Sequence, residues 1–182
     1  GLLIFAKRRK AESNLHAQFR ERKVNKEYVA IVWGSLRGAG EITTPIRRLN
    51  GSPPRSVIDP KEGRTALTHY RARPLLSNTS VVHLYPKTGR SHQLRVHLQD
   101  IGHSIVGDRF YDGVRNDERR LQLHASMLNF HHPYSGKSLV FESEAPVNWV
   151  QQRTKLITVP LQTADLTLTP LAMEDAPSLF KG

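Results

Sequence analysis

Cysteine is absent from the 182-residue chain, which excludes a disulfide framework and any thiolate metal site and fits a reducing compartment. No apolar run approaches the ~20 residues that cross a bilayer. Leu2 to Ala6 is too short for a signal peptide and has its basic residues on the wrong side. Acidic residues are scarce beside basic ones: 16 Asp and Glu against 27 Lys and Arg, a formal charge of +11. A surface this positive attracts polyanions in a salt-dependent way, so nucleic acid is the first partner to expect. No internal repeat is visible, and the length suits one domain with a real core. The bulk properties thus predict a soluble cytoplasmic protein without membrane association.

What is present divides the chain into zones. Leu2-Leu-Ile-Phe-Ala6 is a short continuous apolar run, the pattern of a strand covered on both faces. Arg8 to Arg22 places Ala11, Leu15 and Phe19 four apart among basic residues and predicts an amphipathic helix with a basic outer side. Glu27 to Trp33, closed by Gly34, reads as a strand. Residues 35 to 64 interleave prolines, glycines and serines with Arg37, Arg47, Arg48, Arg55, Lys61 and Arg64, and predict a long loop, functional or disordered. Strand patterns return at Ala66–Ala72 and Ser80–Tyr85, a helix is expected at 91–101, and Leu121–Phe130 and Ser138–Glu142 close the sheet. The class is α+β with a mostly antiparallel, mixed sheet and a few flanking helices. A main domain is expected over residues 1–150, with 151–182 an extension or tail, since periodicity is lost past Trp149.

The stretch from Pro86 to Tyr111 is the densest in chemistry, with Arg90, His92, Arg95, His97, His103 and Asp108 set among turn residues. Thr88 or Ser91 is suited to cap a helix start, which puts Arg90 at the entrance, where a carboxylate or phosphate is held. Leu94, Leu98 and Ile101 fall on one side of that helix and His92, Arg95 and Gln99 on another. On its own Arg90 also reads as a solvated or capping arginine. The histidine spacings of five and six do not line one helical face, and no Cys or Glu completes a ligand set, so no metal is expected. Hydrogen bonds that fix the loop from Gly102 to Gly107 are the expected work of these histidines. Asp108 is the carboxylate that chemistry alone nominates as nucleophile or base; a turn aspartate bonding its neighbouring amides is the other reading. Tyr28, by position alone, is a half-buried strand tyrosine with a wet hydroxyl.

Thr88 to Tyr111 closely resembles the T-G-R-x-H-Q-[LI]-R … G-D-x-x-Y motif of the RluA-type pseudouridine synthases, which isomerise uridine in ribosomal or transfer RNA. Lys26 to Gly34 resembles the family's K-x-Y-x-A-x-V-x-G, and Leu121 to Ala125 its L-x-L-H-A strand. Gly1 to Lys7 is similar to the end of H-R-L-D-x-x-T-S-G-[LV]-[LV]-[LV]-x-A-K. The resemblance covers about Gly1 to Trp149. It implies a pseudouridine synthase catalytic-domain fold and a reaction without cofactor or metal. An aspartate attacks the nucleoside, the glycosidic C–N bond breaks, and the uracil rotates and rejoins through carbon.

The same resemblance implies site roles. Arg90 pairs with the catalytic aspartate, Tyr28 stacks on the target base and assists proton removal from it, and Leu123 helps wall the pocket; Asp108 then takes the turn role. His92, Arg95, Arg47, Arg48 and Arg55 are expected to bind the RNA substrate. The aspartate of H-R-L-D is not among the 182 residues, so this chain alone is expected to lack turnover. A first residue other than Met favours a partial sequence. The expected partner is structured RNA bound by a monomer. A basic RNA-binding module without catalysis is the alternative, and a metal-dependent phosphoesterase using His92, His97 and Asp108 is a third class.

Overall fold

The computed structural model describes residues 1–75, 78–112, 120–146 and 149; the expected extension over 151–182 lies outside them. Helix α1 spans Arg9–Arg20. Strand β1 follows at Asn25–Trp33, then β2 at Gly38–Ile42, β3 at Ile46–Leu49 and β4 at Arg55–Ile58. Strands β5 (Thr68–Pro74) and β6 (Thr79–Pro86) precede helix α2 (Gln93–Asp100), and β7 (Leu123–His131) and β8 (Ser138–Glu142) complete the order. The α+β class with an antiparallel sheet is observed.

Three local expectations need correction. Leu2 to Ala6 is not a strand and not covered on both faces: Leu2 and Ile4 pack inward while Leu3 and Phe5 are exposed. It is held along β7 by one ladder-like bond, Leu2 N–H to the Ala125 carbonyl at 2.9 Å. Residues 35 to 64 are not a long loop; they supply three short strands, whose four or five residues are too brief to stand out from the prolines and glycines between them. In α1 the buried stripe is Ala11, Leu15 and Gln18, and Phe19 is 39% exposed. At ~100° per residue, position 18 returns to the line of 11, whereas 19 has drifted about 80° away. Gln18 is satisfied in place by donating to the His131 carbonyl (2.7 Å) and accepting from the His131 amide (2.8 Å).

The main sheet runs β2-β5-β6-β1-β7-β8, and β3 with β4 forms a separate hairpin. Alternation along β1 splits its side chains between two faces. Tyr28, Ala30 and Val32 join Val82, Leu84 and the α2 residues Leu94 and Leu98 on one; Val29 and Ile31 join Val81, Val106 and Trp33 on the other. Leu84, Leu98, Val32 and Val82 are fully buried, each contributing roughly 1.5–3 kcal/mol. α1 places Leu15 against Leu128, Phe130 and Phe141 at the β7–β8 end. Between Glu27↔Met127 and Tyr28↔Ala125, β7 carries the extra residue Ser126, a bulge that re-aims side chains next to the Tyr28 pairing.

Candidate active site and nucleic-acid interface

Tyr28 and Leu123, both half-buried, pack against the same core cluster on the α2 side of the sheet. Burial raises the Tyr28 hydroxyl pKa, so it stays protonated at neutral pH. The backbone of Gly1 and Leu2 lies against Ala125, which stands opposite Tyr28 in the β1–β7 register. Lys26 precedes Tyr28 by two positions on β1, and a Cβ built on Gly89 falls 3.5 Å from its Nζ, so the loop carrying Arg90 lies at the tip of the Lys26 side chain.

Arg90 is anchored rather than loose. Its Nε–H donates to the Thr65 carbonyl at 3.0 Å, and its backbone N–H donates to Gln93 Oε1 at 2.9 Å. No carboxylate among the described residues pairs with it. The expected side-chain cap by Thr88 or Ser91 is not formed: His92 is the N-cap residue, in left-handed conformation with φ 53°, and no side chain caps α2. Thr88 instead turns inward and donates to Gln93 Oε1 at 2.7 Å while accepting from the Leu67 amide. Gln93 Nε2 donates to the Leu67 carbonyl and to Thr68 Oγ1, and Thr68 bonds His97 Nδ1 at 2.9 Å. His97 Nε2 faces the Thr44 carbonyl at 3.0 Å; a carbonyl only accepts, so Nε2 carries the hydrogen and Nδ1 accepts from Thr68. Burial lowers the His97 pKa, which keeps this form. One buried polar chain from Thr88 to Thr44 thus fixes the Arg90 loop to β5, α2 and the β2–β3 link.

The other expected residues separate into two groups. Arg95 forks onto the buried Asp108 carboxylate, Nη2 to Oδ1 at 2.6 Å and Nε to Oδ2 at 2.8 Å. The Phe110 and Tyr111 amides also donate to Asp108 Oδ1, the turn role. Arg95 lies over the Phe110 and Tyr111 rings, and Arg55 of β4 lies over Phe110 at 5.1 Å. His92 Nδ1 meets the Tyr111 hydroxyl at 2.8 Å, which accepts from the Ser56 amide of β4. Desolvation first, then the Arg95 charge, lowers the His92 pKa; Arg48 acts in the same direction, which puts its charge nearby. Arg48 and Arg55 are exposed and have no carboxylate partner among the described residues, whereas Arg47 is bound by Asp59 and approached by Glu62. His103 Nδ1 bonds the Trp33 carbonyl at 2.7 Å and fixes the Gly102–Gly107 turn to β1; His92 and His97 act elsewhere. Among the described residues no group of three His, Cys, Asp or Glu is placed to hold a metal.

Sequence reasoning missed two features. Lys26 was legible, since a spacing of two on a strand puts it on Tyr28's face. The contribution of Phe110 and Tyr111 was not, because it depends on β4 arriving from 55 residues earlier.

A six-stranded antiparallel sheet with flanking helices fits the pseudouridine-synthase fold that the sequence resemblance implies. Comparisons agree. The profile of the family described as RNA pseudouridylate synthase matches residues 1–100. The chain is 45% identical over 138 residues to the dual-specificity RNA pseudouridine synthase RluA of Vibrio cholerae, covering 74% of this chain and 56% of that protein. To the protein of the same name in Haemophilus ducreyi it is 40% identical, covering 79% and 68%. To the ribosomal large subunit pseudouridine synthase D of Zymomonas mobilis it is 36% identical, covering 80% and 49%. Human RNA pseudouridylate synthase domain containing 1 superposes with a TM-score of 0.64 at 29% identity, over 76% of this chain and 62% of that one. The chain belongs to the RNA pseudouridylate synthase family, and it spans about half the length of the first curated relatives it matches.

Proposed function

We propose that this chain carries the base-binding and carboxylate-orienting part of an enzyme that isomerises uridine to pseudouridine in structured RNA, ribosomal or transfer, in the cytoplasm and as a monomer. The observation that carries the reading is the placement of Tyr28 and Leu123 on one core cluster, with the anchored Arg90 loop at the tip of Lys26, two positions from Tyr28 on β1. A base within a duplex is out of reach, so it must leave its stack and be received by an aromatic face and an apolar wall; Tyr28 and Leu123 are that pair. The nucleophilic aspartate belongs to an H-R-L-D motif set next to Arg90, whose guanidinium keeps the carboxylate ionised and aimed once water is excluded. With the aspartate bonded to the nucleoside and the C–N bond broken, the uracil turns between Tyr28 and Leu123 and rejoins through carbon. Tyr28, held protonated by burial, is positioned at the base for the proton movement that follows.

Phosphate contacts fall to Arg48 and Arg55, which have no carboxylate partner among the described residues, with Phe110 as a partly exposed ring beside Arg55. Arg95 and His92 hold the α2 entrance to the β3–β4 hairpin and position these groups. Arg47 is held by Asp59 and supports the hairpin. RNA affinity measured across a salt series tests the reading. A steep log–log fall is expected, and binding indifferent to salt would oppose it.

A further inference from the structure

We propose that Lys26 is a phosphate ligand: its ammonium grips a phosphate of the RNA strand whose uridine lies against Tyr28. The inference rests on the RNA reading above and adds a contact to the same cleft.

Lys26 and Tyr28 point to one side of β1, their Cα atoms ~6.6 Å apart, two residues at the usual strand rise, which is within the reach of a single nucleotide. The Lys26 Nζ lies 5.7 Å from the ring centroid of Phe19 at the end of α1, and a Cβ on Gly89 would come within 3.5 Å of it. The ammonium therefore stands between the last turn of α1 and the loop that leads into α2, two positions along β1 from Tyr28. Phe19 is the one large apolar side chain of α1 turned outward, 39% exposed.

Among the described residues the lysine's charge has no carboxylate counterpart. Among the described residues no carboxylate lies within 4 Å of its Nζ, and no hydrogen bond reaches it. Other basic residues are paired: Lys23 with Glu21, Arg47 with Asp59 and Arg95 with Asp108. An ammonium withdrawn from water without an anion is unfavourable, and burial lowers the Lys26 pKa for that reason alone. A sequence that keeps such a group beside a substrate-binding tyrosine implies an anion that arrives with the substrate. Phosphate suits a compact, rotatable ammonium, whereas the planar fork of Arg90 suits the nucleophile's carboxylate.

The test compares wild type, Lys26→Met, Lys26→Gln and Lys26→Arg for binding to a labelled stem-loop RNA with uridine in its loop, over a potassium chloride series, alongside thermal unfolding without RNA. A phosphate contact predicts that the Met and Gln variants lose about 0.7–1 in the log–log salt slope. Their melting temperature should be unchanged or higher, since an uncompensated charge has gone, and Lys26→Arg should restore the slope. Met and Gln variants with the wild-type slope would overturn the inference, whether stability falls, as for a packing lysine, or holds, as for a lysine serving the nucleophile's carboxylate. Failure of wild type itself to bind at low salt would overturn the RNA reading first, and this inference with it.

Discussion

Arg95 and Asp108 form a buried, two-bonded ion pair across thirteen residues of sequence, with the Asp108 side chain shut off from solvent and the Arg95 side chain 13% exposed. Asp108, the carboxylate that chemistry alone nominates as nucleophile, and Arg95, one of the expected substrate-binding residues, neutralise each other. Removing one partner strands the other charge, so Asp108→Ala should destabilise the fold by about 3–5 kcal/mol. A double change to apolar residues of similar volume should cost less than either single change. Urea unfolding of the three variants checks this; an Asp108→Ala protein as stable as wild type would return Asp108 to the list of functional candidates.

The arginines of the β3–β4 hairpin should separate by assay. Arg48→Ala and Arg55→Ala are expected to lower the salt slope of RNA binding by about one each with little change in stability. Arg47→Ala should leave the slope nearly intact, because its guanidinium already faces Asp59 and Glu62. Salt-series binding of the three variants is the measurement.

Stability should fall as pH drops below about 6.5. Burial depresses the His97 pKa, so the unfolded chain takes up a proton first; stability is fully present above the unfolded value and is lost as pH falls toward the folded one. His92 and His124 are depressed by burial in the same sense. Each group adds a slope of at most about 1.4 kcal/mol per pH unit. Denaturation between pH 5 and 8 checks the sign, and His97→Gln should flatten part of the dependence.

The motif from Thr88 to Tyr111 was legible because turn residues and chemistry-bearing side chains are adjacent in sequence. So were the longer strands, whose patterns are local. The β2–β4 strands were hidden by their shortness among prolines and glycines, and the outward turn of Phe19 by a spacing of four that only approximates the helical period. Which arginines are paired with carboxylates was not legible, since it depends on Asp59 and Asp108 arriving twelve and thirteen residues away. The polar chain through Gln93 and His97 was closed to sequence reasoning for the same reason: its partners, Thr44 and Thr68, come from other elements.

In an active form of the protein, Arg90→Lys should lose about tenfold to a hundredfold in single-turnover rate. An ammonium does not reproduce a planar fork, and one charge-assisted hydrogen bond in a desolvated site is worth roughly 1.5–3 kcal/mol. Tyr28→Phe should keep RNA affinity and lose rate, because stacking survives and the hydroxyl does not. Parallel binding and rate measurements distinguish the two.

The central claim is tested most directly by pseudouridine formation in ribosomal or transfer RNA, assayed for this chain alone and for the chain preceded by a segment ending in H-R-L-D-x-x-T-S. The account predicts no product from the first and robust product from the second, abolished when the added aspartate becomes asparagine. Robust product from the 182 residues alone would contradict it and place the nucleophile within this sequence.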